Sequence, residues 1–234
     1  KAKNPDHNYD RTRTALNFQV GPGGRITNID KSHRIGDRVE EIIKKHLRPD
    51  ARVTAISNRA VIVVFGGNRE RMREMAFGSQ VLNDYEETNG HLIRQPEIEQ
   101  WAKDVYGFVC REFGEENIAS FIVHLDETGP HAHCVFVPLT ADGRLSSKEV
   151  LGGKNKIEAR QHMRDLHTRL AEVNRKYGLD RGDDIQVTGA RHRSTAEYNR
   201  DLHRENARLE TLIDDNREQL RQLEDEIRKS ERRV

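Results

Sequence analysis

The chain has 234 residues, 34% of them hydrophobic and 34% charged, with a formal net charge of +1. That length holds one ordinary domain plus an appendage, and so low an apolar share requires that some stretch bury little surface. No apolar run approaches the roughly 18–20 residues of a membrane span, no secretory signal is visible, and two cysteines, Cys110 and Cys134, argue against a disulfide framework and for a reducing, cytoplasmic location.

In chain order, residues 13–20 alternate weakly and read as a strand, broken at Gly21-Pro22-Gly23-Gly24. Residues 37–47 read as an amphipathic helix with Val39, Ile42, Ile43 and Leu47 on one face. The continuous β-branched run 59–65 reads as a buried strand. A helix is expected over 96–113, with Pro96 in its first turn and Ile98, Trp101, Val105, Phe108 and Val109 at helical spacing. Residues 118–124 and 131–137 read as neighbouring antiparallel strands joined by the turn residues 126–130. A long helical pattern covers 155–177, with Gly178 placed to end it. These elements divide the chain into a domain over 1–193 and a charged helical arm over 194–234. In the arm, Leu202, Leu209, Asn216 and Leu223 repeat every seven residues, and Asn206, Ile213, Leu220 and Ile227 repeat with an offset of four. Two readings stay open for it: a parallel two-stranded coiled coil, or a single helix packing its stripe on its own domain.

The most specific chemistry lies in three histidines. His131 and His133 are two apart, so on a strand they share a face. An antiparallel return through the 126–130 turn brings His124 beside them, within reach of one ion. Three imidazoles on one wall leave coordination positions open, as a catalytic metal requires. Asp126 and Glu127 sit in the same turn, able to orient a histidine or handle protons.

The stretch from His124 to His133, His-Leu-Asp-Glu-Thr-Gly-Pro-His-Ala-His, resembles the third motif of the Mob/Pre plasmid mobilisation relaxases of MobV type, within the HUH endonuclease superfamily. Residues 13–18, Arg-Thr-Ala-Leu-Asn-Phe, resemble the family's Arg-Ser/Thr-His-Leu-Asn motif, with Ala15 in place of its histidine. Residues 142–148 and 191–198 also resemble family segments. The resemblance implies an α+β fold, an antiparallel sheet of about five strands with flanking helices, followed by a long C-terminal helix. It further implies a divalent metal, Mn²⁺ or Mg²⁺, on His124, His131 and His133, Glu127 as the carboxylate that activates a nucleophile, and nicking of a plasmid origin of transfer with a covalent 5′-phosphate intermediate. An all-imidazole set is an unusual host for so hard an ion.

The family nucleophile lies in a His-x-x-Arg motif that the chain does not display. Three readings follow: the motif precedes Lys1, or His7 serves, or Tyr9 serves. Arg11, Arg13, Asn17, Arg25, Lys148, Lys154 and Lys156 are the candidate DNA contacts, of the types that hold phosphates. The expected partners are origin DNA and, through the C-terminal helix, a second copy of the chain. The competing functions are a non-catalytic origin-binding and dimerisation module braced by a metal, and a rolling-circle replication initiator.

Overall fold

The alternation in residues 118–124 and 131–137 folds as the hairpin at the centre of a sheet. A computed structural model describes residues 9–83, 88–153, 155–183, 185–189 and 194–231, and divides the chain into two units, Lys1–Arg181 and Gly182–Val234. In the first unit the strands are β1 (Phe18–Gly21), β2 (Arg25–Thr27), β3 (Val61–Phe65), β4 (Ile118–His124) and β5 (His131–Phe136). They form one five-stranded sheet in the order β2-β1-β4-β5-β3, with every neighbouring pair antiparallel. Helices α1 (Ile35–His46), α2 (Arg69–Phe77), α3 (Pro96–Phe113), α4 (Ser147–Leu151) and α5 (Lys156–Arg175) complete this unit. The α+β architecture implied by the resemblance is the one observed.

Period-two alternation assigns the two sheet faces. Phe121 and Val123 of β4, Ala132, Cys134 and Phe136 of β5, and Phe18 of β1 point to one face and are buried. Against them α3 lays Ile98, Trp101, Val105, Phe108 and Val109 at helical spacing, all buried. Tyr106 meets Phe121 edge-on at 5.5 Å between ring centroids, and Phe113 stacks on Phe136 at 4.2 Å. Outside α3 lies α5, which buries Leu166 and ties Arg169 to Glu112 by two 2.7 Å bonds. On the other sheet face α1 packs Val39 and Ile43 over Ala119, Val135 and Val137. That helix covers one end of the face. The histidines occupy the other end.

Several expectations change. The segment read as a strand over 13–20 begins instead as a 3-10 helix, Arg11–Leu16, capped by Asp10 accepting from Thr12 N, and extends only from Phe18. The run 59–65 is not a buried strand. β3 is an edge strand, with Ile62 67% and Val64 58% exposed, because only Val61, Val63 and Phe65 face the core. Helix α2 gave little pattern in sequence, yet it is capped by Asn68 and buries Met72, Met75, Ala76 and Phe77. Strand β2 and helix α4 also went unread, being three and five residues long.

The second unit holds α6 (Ile185–Thr188) and α7 (Thr195–Glu231), a continuous helix of 37 residues. Along α7, Leu202, Leu209, Ile213, Leu220, Leu223 and Ile227 are all exposed. Acid–base pairs three residues apart line its polar positions: Asp201–Arg204, Glu205–Arg208, Asp214–Arg217 and Glu218–Arg221. Among the described residues no helix is long and apolar enough to cross a membrane.

Candidate metal centre

Strand register builds the centre. His124 pairs directly with His131, and His133 pairs with Ile122, so the three imidazoles rise from the same face of β4 and β5. Their ring centroids lie 5.5 Å (His124–His131), 5.2 Å (His124–His133) and 4.8 Å (His131–His133) apart. All three are half-buried.

Hydrogen bonding decides which ring nitrogens face inward. His131 Nδ1 lies 2.8 Å from the Gly129 carbonyl oxygen, which can only accept, so Nδ1 carries a proton and Nε2 is the nitrogen whose lone pair a neutral ring offers. That Nε2 lies 2.9 Å from His133 Nε2. Two imidazole lone pairs do not face each other at that distance without a proton or a cation between them. Burial, then the neighbouring His131 and His124, lower the pKa of His133 and favour the neutral form that a ligand needs.

Two carboxylates complete the cluster. Glu127 lies 3.8 Å from His124 Nδ1 and 3.9 Å from His131 Nε2. Asp126 Oδ1 lies 3.8 Å from His124 Nδ1, longer than a hydrogen bond. Asp126 Oδ1 is buried, and among the described residues nothing donates to it at hydrogen-bonding distance. Burial raises the Asp126 pKa, but its polar neighbours His124, Asn17 and Thr14 outweigh that and hold it at about 2. His124, Asp126 and Glu127 each offer a ligand atom, all within 4.8 Å of one another. An ionised, buried, unsatisfied carboxylate oxygen beside converging imidazoles is a donor set that fits a divalent cation.

The other sequence-derived candidates scatter. Tyr9 forms an antiparallel bridge with Glu127, which brings the segment entering Asp10 to the rim of the cluster. His7 and Lys154 lie outside the described residues. Arg11 and Arg25 are exposed, as are Lys148 on α4 and Lys156 at the start of α5. Arg13 and Asn17 are different, being buried. Asn17 Oδ1 accepts from Leu125 N at 2.7 Å, and the Arg13 guanidinium donates to the carbonyls of Leu125, Asp126 and Glu127. Their side chains face the backbone of the loop between β4 and β5. Sequence reasoning missed Asn89, which is fully buried and donates to Asp10 at 2.7 Å, and Arg73, whose Nε donates to the Thr128 carbonyl at 2.9 Å. Neither had a motif to signal it.

Comparison with known proteins gives a family match over part of the chain. Residues 91–200 match the family model of the plasmid recombination enzyme, Mob_Pre. A type 1 plasmid recombination enzyme from Staphylococcus aureus is 40% identical over 133 residues, covering 56% of this chain and 32% of that relative. A type 3 enzyme from the same species is 41% identical over 99 residues, covering 42% of this chain and 22% of that relative. The chain thus spans a third or less of these curated relatives. In structure it is similar to the MobM relaxase domain (MOBV; Mob_Pre), crystallised with manganese and the oriT DNA of plasmid pMV158. The TM-score is 0.61 at 19% identity, over 83% of this chain and 86% of that domain. Residues 91–200 therefore resemble the Mob_Pre plasmid recombination enzymes in sequence, and the chain shares the fold of the MobM relaxase domain.

Proposed function

We propose that the chain is the catalytic part of a relaxase that nicks one strand at a plasmid origin of transfer, using a divalent cation held by His124, His131 and His133. One observation carries this reading: three imidazoles and an unsatisfied buried carboxylate converge on one sheet face. Manganese or magnesium is the proposed ion, and the manganese bound by the MobM domain supports the choice of a divalent metal. When bound, such an ion acts as a Lewis acid on a phosphoryl oxygen.

The chain's own residues do the rest. The Gly129 carbonyl keeps His131 in the tautomer that presents Nε2. Asp126, ionised, presents a carboxylate oxygen 3.8 Å from His124 Nδ1. Glu127, 39% exposed at its side chain, accepts the proton of the attacking group. That group is delivered by the segment leading into Asp10. The pairing of Tyr9 with Glu127 supports Tyr9 as nucleophile, and His7 on the same segment is the alternative. Attack on phosphorus forms the protein–phosphate bond and breaks the bond to the 3′ oxygen, which takes up the proton that Glu127 accepted and leaves as a 3′-hydroxyl. Rejoining reverses the step. Arg11, Arg25, Lys148, Lys154 and Lys156 are proposed to hold phosphates along the strand.

A second copy of the chain is the proposed partner of α7, supported by its exposed heptad stripe. The domain is proposed to end near 193 and the arm to begin at 194.

The test is a supercoiled plasmid carrying the cognate origin, incubated with the protein and Mn²⁺. Relaxed circles bearing covalently bound protein are expected, with the attached residue read by mass spectrometry. His133→Ala is expected to abolish relaxation while DNA binding persists. If the chain binds the origin but never nicks it with any divalent ion, and chelation only lowers the melting temperature, the metal is a structural brace and the relaxase reading fails.

A further inference from the structure

Loop carbonyls usually face water. In the loop between β4 and β5 they do not. Leu125 O accepts from Arg13 NH1 at 2.8 Å. Asp126 O accepts from Asp10 N at 2.6 Å and from Arg13 NH2 at 3.4 Å. Glu127 O accepts from Arg13 NH2 at 3.3 Å, Thr128 O from Arg73, and Gly129 O from His131. Five consecutive carbonyls are therefore held, three of them by one guanidinium.

That guanidinium is itself fixed from behind. Arg13 is 4% exposed, and its Nε donates to Asp10 Oδ2 at 3.0 Å. Asp10 Oδ2 also accepts from Asn89 Nδ2 at 2.7 Å, and Asp10 Oδ1 accepts from Thr12 N and Oγ1. Asn89 is fully buried and also bonds both the amide and the carbonyl of Asn83. The Arg13 guanidinium stands 5.7 Å from the centre of the Phe77 ring. An arginine enclosed in this way cannot reach a DNA phosphate without dismantling the loop that bears the cluster's carboxylates.

We propose that Arg13 is a positioning residue, the hub of an Asp10–Arg13–Asn89 clamp that grips the backbone of Leu125–Glu127 and so sets where His124, Asp126 and Glu127 stand around the proposed ion site. A planar fork of fixed donors suits this task, whereas a lysine offers one point charge and cannot span three carbonyls. The proposal rests on the metal-centre reading for its consequence, but the grip on the loop stands independently of it.

The experiment compares the parent chain with Arg13→Lys and Asn89→Ala. Three quantities are read: amide hydrogen exchange over Leu125–Gly129, Mn²⁺ affinity by calorimetry, and melting temperature. In Arg13→Lys, exchange over the loop is expected to quicken at least about 10-fold, and Mn²⁺ binding to weaken about 10-fold, as when groups that orient ligands are altered. Asn89→Ala acts on the loop through Asp10 and is expected to move both in the same direction by less. A melting temperature lowered with loop exchange and Mn²⁺ affinity both unchanged would mean a purely structural role and overturns the proposal. So does unchanged exchange and Mn²⁺ affinity with weakened oligonucleotide binding, the signature of a phosphate contact. If Arg13→Lys does not fold, Asn89→Ala decides by the same criteria. A parent that binds no Mn²⁺ sinks the relaxase reading, and the exchange rates alone then decide the clamp.

Discussion

At the scale of single residues, position in the fold reverses what residue type suggests. Arg13 and Arg11 are two residues apart and equally cationic, yet one is buried and the other exposed. Nothing in the sequence separates them, because the partner that buries Arg13 is a backbone more than a hundred residues away. The histidines were legible for the opposite reason: a period of two and one short turn fix their face locally. The thiols follow burial. Cys134 is fully buried and its pKa is pushed up to about 12, first by burial and then by Cys110. Burial, then Glu115, pushes Cys110 up to about 11. Both acids are raised in the fold, so the unfolded chain ionises first, near the ordinary thiol pKa of about 8.5. The stability they contribute is therefore complete below that pH and is lost as pH rises towards 11–12. The melting temperature is expected to fall above about pH 9, and a Cys110→Ser, Cys134→Ala variant to lose part of that dependence. A disulfide-exchange reagent at pH 8 should label the native chain slowly and the denatured chain at both sites; rapid native labelling of Cys134 would contradict its burial. Glu127→Gln belongs to this scale too. Its side chain is 39% exposed, so the fold should keep its melting temperature, while nicking should fall at least about 100-fold.

At the scale of elements, the hairpin of β4 and β5 and helix α3 were readable because each carries its own periodicity. β3 was read correctly as a strand and wrongly as buried. A continuous Val/Ile run fits either a central or an edge strand, and only the pairing of Val61–Phe65 with β5, seventy residues later in sequence, decides. The sheet order β2-β1-β4-β5-β3 was illegible for the same reason. The two kinds of apolar side chain should respond differently to substitution. Phe121 is enclosed by Phe65 and Tyr106, with ring centroids at 6.1 and 5.5 Å, so Phe121→Ala is expected to cost about 3–5 kcal/mol by removing buried surface and leaving a cavity. Val64, on the histidine face of the edge strand beside His133, has little buried surface to lose, and Val64→Thr is expected to change stability by about 0.5 kcal/mol or less. Denaturant titration of both variants checks the pair; a cost of several kcal/mol for Val64→Thr would return β3 to the interior.

At the scale of the whole molecule, the low apolar share has a physical location. Helix α7 spends 37 residues on a polar surface with one exposed stripe, Leu202, Leu209, Ile213, Leu220, Leu223 and Ile227. A helix of that length extends about 55 Å. Intrahelical ion pairs of the kind seen along it contribute only about 0.2–0.5 kcal/mol each, so a heptad stripe left in water gains most by pairing with another helix. The polar positions suggest which one. In a parallel, in-register dimer Asn206 faces Asn206 and Asn216 faces Asn216, each amide meeting its own copy, while the Leu and Ile layers remain apolar. An antiparallel pairing that keeps the same layers sets Asn206 against Leu223 and Asn216 against Ile213, leaving every amide opposite a side chain that cannot hydrogen-bond. The chain is therefore expected to sediment as a dimer at micromolar concentration. Leu209→Glu combined with Leu220→Glu places charges in two layers and should shift it to monomer while the thermal transition of the sheet-bearing unit stays where it was. A parent chain that sediments as a monomer across the concentration range, or a double variant that stays dimeric, would assign the stripe to something other than a second copy. A cysteine introduced by Ala207→Cys, outside the two apolar layers, would be too far from its own copy to crosslink, whereas Asn206→Cys should form a disulfide across the pair only if the two helices run parallel and in register.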